Sequence, residues 1–232
     1  MKILRHFYII MIFIFLLFLP VVVKAHSPNE QLSYKNKSLF NVLVDIPEFK
    51  LYLINKATNA IVKTYPIAGG KLSTPSPYGT WTIVSKSSDW GAGFGSRWME
   101  LNVPWGTYGI HGTNKPLSIS HPNSLGCIRM FNKDVAELYK FVDCGTTVVI
   151  YGGPYGLAWN HFRNLKPGDK GADVLDIQKR LKDRGYYFGK LDGIYGDVMK
   201  KAIIKYRKDN NLELTHNLNK EFYDSIGINS FE

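Results

Sequence analysis

The feature that most constrains the fold is a change of hydrophobic period near residue 152. Before it, apolar residues come in short alternating runs separated by turn residues. After it, they recur every three or four positions. Alternation at period two marks half-buried strands, and a period near 3.6 marks amphipathic helices. The chain therefore reads as a strand-rich region followed by a small helical one, and 232 residues suffice for two modest cores.

In the first region, strand patterns cover Asn41–Ile46, Lys50–Ile54, Ile61–Ile67 (ending at Gly69-Gly70), Thr80–Ser85, Trp98–Val103, Tyr108–His111 and Thr146–Tyr151. Turns fall at Pro47-Glu48 and Asn55–Ala60, and a Pro/Gly-rich loop at Ser73–Gly79. One helix is expected over Lys133–Val142, capped by Asn132, with Val135, Leu138, Tyr139 and Val142 on one face. One helix among many short strands predicts a mainly β sandwich with a single packed helix. Residues 152–162 read as a linker. A small three-helix bundle follows over 163–228. Its helices are Ala172–Arg184, a second one capped by Asp197 with Val198, Ala202 and Tyr206 facing inward, and a third marked by Leu218, Phe222 and Ile226.

The N-terminus has the layout of an export signal over 1–25. Lys2 and Arg5 precede the unbroken apolar run Phe7–Leu19, then Pro20 and small residues at Val23-Lys24-Ala25. Counting Val21–Val23 brings the apolar stretch near spanning length, so an uncleaved anchor is the alternative. Either outcome puts the remainder outside the cytoplasm, with membrane contact only through an uncleaved signal. Residues 26–39 read as a polar tether. The net charge of +10 is diffuse, with no Lys/Arg block and no nucleic-acid motif. It suits an anionic polymer or ordinary solubility alike.

The chemistry concentrates on His111-Gly112-Thr113 and Ser124-Leu125-Gly126-Cys127-Ile128-Arg129-Met130. Cys127 is one of only two cysteines, and His111 lies sixteen positions ahead of it. A thiol becomes a strong nucleophile when a nearby imidazole takes its proton. Gly126 permits a tight turn, and the N–H groups near Gly126 and Cys127 can face a developing oxyanion. Arg129 can lower the thiol pKa or hold a substrate carboxylate. A resting thiolate–imidazolium ion pair is the expectation. Outside the cell a Cys127–Cys144 disulfide is an alternative, although it would silence the nucleophile. Cys144 reads as a half-buried apolar filler. A zinc site from His111, His121, Cys127 and Cys144 has spacings that match no usual ligand pattern. No metal or organic cofactor is expected.

Together these residues resemble the L,D-transpeptidase catalytic domain of the YkuD family. The likeness extends to Pro66–Gly70, Thr74–Gly79, Phe94–Met99, Asp134-Val135 and Gly145–Val148, covering about 40–151. One departure is Leu125, where the family often carries histidine. His121 lies on the loop between the two motifs and is given no role. The resemblance implies that Cys127 attacks the third residue of a peptidoglycan tetrapeptide stem, D-alanine leaves, and an amine from a second stem resolves the thioester as a 3→3 cross-link. His111 acts as base and then acid, its tautomer fixed by a carbonyl near Gly112. Gly126, Gly112, Arg129 and Ser124 surround the oxyanion and substrate. Carbapenems would acylate the same thiol. Resolution by water, giving an L,D-carboxypeptidase, uses the same two residues and stays open, as does a wall-binding structural protein with an inactive domain.

The tail from Leu165 through Tyr206 resembles a peptidoglycan-binding domain of the three-helix type, with Met199 and Tyr206-Arg207 departing from its usual residues. That likeness implies a module holding the enzyme on stem peptides and glycan strands, which raises effective concentration.

Overall fold

The computed structural model describes residues 39–88, 90–152, 155 and 162–228. The expected export signal, all of the tether but Leu39, and most of the linker lie outside the described residues. Among the described residues no helix is long and apolar enough to cross a membrane.

Among the described residues nine strands are present: β1 Phe40–Asp45, β2 Lys50–Asn55, β3 Ile61–Gly70, β4 Gly79–Ser87, β5 Trp98–Leu101, β6 Tyr108–His111, β7 Pro122–Ser124, β8 Ile128–Met130 and β9 Thr147–Tyr151. Helix α1, Asn132–Phe141, joins β8 to β9. The ladder runs β2-β1-β9-β4-β5-β6-β8-β3-β7, and β2 pairs again with β3. Eight strands thus form a closed circuit, with β7 outside it on β3. The two layers expected of a sandwich are continuous here. β4 pairs with β9 through Gly79–Thr82 and with β5 from Ile83 onward. β3 pairs with β2 up to Pro66 and with β8 from Ile67. A register shift between Ile83 and Ser85 sits at the changeover of β4, where a bulge sharpens the local twist.

Alternation explains the core. Val42 and Val44, Leu51 and Leu53, and Ile128 and Met130 are buried at every second position. α1 covers this interior with Val135 and Leu138, and Val142 follows at its end. Asn132 does not cap α1 as expected. Phe131 is the capping position and makes no side-chain cap bond. The Asn132 side chain is committed elsewhere: its Oδ1 accepts from the Ser96 N–H at 3.0 Å.

In the tail, α2 (Ala172–Asp183), α3 (Asp197–Asp209) and α4 (Lys220–Ser225) enclose a second apolar cluster. Asp197 opens α3 inside the first turn rather than capping it, and its carboxylate bonds Lys200 at 2.7 Å. Val198, expected inward, is 54% exposed, while Met199 is fully buried. The inward stripe therefore runs through Met199, Ala202, Ile203 and Tyr206. Arg207 is buried too, and its guanidinium donates to the carbonyls of Glu213 and Asn217. The three residues that depart from the usual tail pattern, Met199, Tyr206 and Arg207, thus serve its interior. α4 is capped by Asn219, whose side chain accepts from the Phe222 N–H.

The tail is more than a tether, because it packs on the strand circuit. Ala172, Leu175 and Ile194 lie against the first core. Trp105 is 7% exposed. A Cβ added at Gly193, where φ is +66°, would sit 2.4 Å from the Trp105 ring. Only glycine allows that ring so close. Trp105→Ala should therefore lower stability by about 3 kcal/mol, measured by denaturant unfolding of the full chain. A change within about 0.5 kcal/mol would show that this packing contributes nothing.

Candidate active site

The site begins with a strand register. β6 and β8 are parallel neighbours, with Ile110 opposite Ile128 and His111 opposite Arg129. Residues two apart share a face, so Cys127 lies on the side of Arg129 and hence on that of His111. Burial follows this alternation: Ile128 and Met130 are inside, whereas Cys127 and Arg129 are half-buried. Cys127 leaves a tight turn. Gly126 has φ of +116°, and a Cβ there would lie 2.6 Å from the Tyr108 ring and 3.1 Å from the Pro75 carbonyl. Ser124 staples the turn. Its Oγ accepts from the Gly126 N–H at 2.9 Å and donates to the Cys127 carbonyl at 2.6 Å.

His111 is buried, and its Nδ1 meets the Gly112 carbonyl. A carbonyl only accepts, so Nδ1 carries the proton, and a second backbone contact, at Phe94, also bears on the ring. The contact expected near Gly112 is thus present. The ring is caged by aromatics, with Phe94 edge-on at 5.1 Å and Trp98 tilted at 5.6 Å. Trp90 stacks on Trp98 at 5.3 Å. Gly112 is a close-approach position, since a Cβ there would fall 2.2 Å from Asn132 Oδ1. Asn132 therefore braces the histidine turn against α1. Sequence reasoning quoted the Phe94–Met99 stretch and Asn132 but gave neither a place beside the imidazole. Their only signal was the aromatic density of 90–98.

The electrostatics correct one expectation. Burial pushes the Cys127 thiol up, opposed by the Gly109 backbone N–H and by Arg129. Burial pushes the His111 imidazole down to about 4, opposed by backbone contacts at Gly112 and Phe94 and reinforced by Arg129. Both effects of burial favour the neutral forms, against the ion-pair expectation. Two of the expected oxyanion donors are already engaged. The Gly126 N–H is taken by Ser124 Oγ, and the Gly112 N–H donates to the Arg97 carbonyl at 3.2 Å. Ser124 is buried and closes the nucleophile turn. Arg129 stays half-exposed and donates to the Asn123 carbonyl at 3.1 Å.

Cys127 and Cys144 are both free thiols. Cys144 is exposed, contrary to the filler expectation, because it sits in the turn before β9. His121 is also exposed, and its Nδ1 lies 2.9 Å from the Ile119 carbonyl. Among the described residues no three His, Cys, Asp or Glu side chains gather as metal ligands.

Comparison with known proteins agrees with this geometry. A family model of the L,D-transpeptidase catalytic domain matches residues 40–150, and a model for a peptidoglycan binding domain matches 170–226. The Bacillus subtilis (strain 168) protein named as the L,D-transpeptidase YkuD is 49% identical over 92 residues, 40% of this chain and 55% of that one. Its Bacillus licheniformis namesake is 50% identical over 90 residues, 39% of this chain and 53% of that one. The chain thus spans about half the length of these curated relatives. A second Bacillus subtilis protein, named as the L,D-transpeptidase YqjB, is 30% identical over 129 residues, 45% of this chain and 73% of that one.

Two outcomes follow from the electrostatics. The folded-state pKa of His111 lies below the unfolded value of 6.5, so its neutral form stabilises the fold above that value. This stability should drain as pH falls toward about 4, by up to roughly 3 kcal/mol. Thermal unfolding from pH 7 to pH 4 should show the loss in the native protein and a shallower one in His111→Gln. Arg129→Met should slow alkylation of Cys127 by a neutral haloacetamide at pH 8 by about threefold, since a half-exposed cation acts through partial screening. Equal rates would remove Arg129 from the field of the thiol.

Proposed function

The chain belongs to the L,D-transpeptidase family, and from that premise we propose that it cross-links peptidoglycan stems through a thioester on Cys127. The observation that carries this reading is the β6–β8 register, which pairs His111 with Arg129, two residues beyond the half-buried Cys127, and so supports a thiol and an imidazole acting on one face of the sheet. Substrate entry displaces water and brings an electrophilic carbonyl to the sulfur. The thiol proton passes to His111 Nε2 as the Sγ–C bond forms. The imidazolium then protonates the departing D-alanine, and the thioester remains. The amine of a second stem attacks it, its proton returns through His111, and the thiol is regenerated. Bonds and protons balance with these side chains and two stems. Arg129 favours the thiolate as it forms, which offsets part of the burial penalty on sulfur.

In this reading residues 40–151 carry the reaction, 152–162 connect, and 163–228 bind wall polymer. The protein works outside the cytoplasm, in contact with stem peptides and glycan strands. A carbapenem would acylate Cys127 by the same attack on a strained carbonyl.

The test uses the full chain with defined tetrapeptide stems and mass spectrometry of the products. Cross-linked dimers should form with release of D-alanine. Cys127→Ser should give neither dimers nor a carbapenem adduct, because a hydroxyl has no anionic form near neutral pH. His111→Ala should slow turnover by about 100-fold or more while the far-ultraviolet spectrum is kept. Adducts on Cys127→Ser at native yield would remove the nucleophile assignment. Trimmed tripeptides without dimers would make water the acceptor.

A further inference from the structure

Beside the Cys127 turn lies a cleft of about 850 Å³. The loop 70–78 forms one side with Lys71 and Pro75, and Leu125, exposed at 75%, stands at its edge next to Gly126. Tyr108 and Trp105 line it from the strand circuit. The opposite side belongs to the tail, through Arg163 and Lys170–Asp173. Tyr108 connects this space to the sulfur. Its ring crowds Gly126, and the phenol lies within electrostatic reach of both Cys127 and Arg163.

The charges of the lining are uneven. They are Lys71, Arg163, Lys170 and a single carboxylate, Asp173. Asp173 is buried, and Arg163 grips both of its oxygens at 2.7 Å. That bidentate pair is closed on itself. Lys71 and Lys170 are exposed, and among the described residues neither has an ion-pair partner. Two unpaired cations remain in a cleft walled by prolines, aromatic and aliphatic side chains and the hydroxyls of Ser73, Thr74 and Ser76. Such a lining fits an extended peptide that carries carboxylates better than a neutral sugar, and the volume admits several residues.

We propose that the tail supplies one wall of the substrate cleft, where Lys170, with Lys71 from the 70–78 loop, holds a carboxylate of the acidic peptide whose carbonyl reacts at Cys127. This rests on the function proposed above and assigns the tail a part in substrate selection as well as anchoring. It also accounts for the packing of Trp105 on Gly193, which fixes the tail wall relative to the thiol.

The experiment compares the full-length native chain with Lys170→Glu and Lys170→Arg on a soluble tetrapeptide stem and on the same stem with its carboxylates amidated. Labelling of Cys127 by a neutral haloacetamide serves as the control for an intact thiol. Lys170→Glu should raise KM for the acidic stem by about tenfold with kcat within about twofold, as expected for one lost charge-assisted contact. Lys170→Arg should stay near native, and on the amidated stem the variants should converge with the native chain. An unchanged KM in Lys170→Glu, or an equal rise on the amidated stem, overturns the assignment of Lys170. Absence of native turnover on either stem, with labelling intact, instead overturns the function on which the cleft depends.

Discussion

The site depends on one backbone pairing, the parallel contact between β6 and β8. Their register sets His111 across from Arg129, two residues beyond Cys127. A slip of one residue would turn Cys127 and Arg129 to the interior and Ile128 to the cleft. Several local devices hold the register. Gly126 takes a backbone shape that other residues resist, Ser124 closes the turn with two hydrogen bonds, and Tyr108 fills the space a side chain at 126 would need. β8 is also fixed from its other edge by β3, so the nucleophile strand is pinned on both sides.

The same enclosure that fixes the geometry works against the reactive charge state. Sulfur and imidazole are both short of water, and each is pushed toward its neutral form. Arg129 and the Gly109 N–H pull the thiol back in part. The aromatic cage of Phe94 and Trp98 contributes by excluding water while keeping the ring in one orientation.

How far the sequence reveals this architecture depends on the range of the forces involved. Alternation and helical period report which residues face a segment's own core, so β1, β2, β6, β9 and the tail helices are legible. β7 and β8 are three residues each, too short to show a period, although β8 carries the site. The pair His111–Cys127 is legible because its chemistry is rare and its spacing familiar. The donors around it are less so. Whether a glycine N–H faces a substrate or a neighbouring carbonyl depends on the ladder, and here Arg97 and Ser124 claim both. The Val198 and Met199 exchange shows a one-residue phase error that a period of 3.6 allows. Docking of Trp105 on Gly193 leaves no mark in either segment's periodicity, since each residue looks ordinary within its own stretch.

Closure of the strand circuit has a consequence for how the domain meets other chains in a crowded solution. An open β layer presents bare amides and carbonyls along its margins, and these recruit other chains into aggregates. Here β2 meets β3 and the margins are sealed. The one strand outside the ring, β7, is a stub of three residues that begins with Pro122 and offers too little backbone to seed such growth.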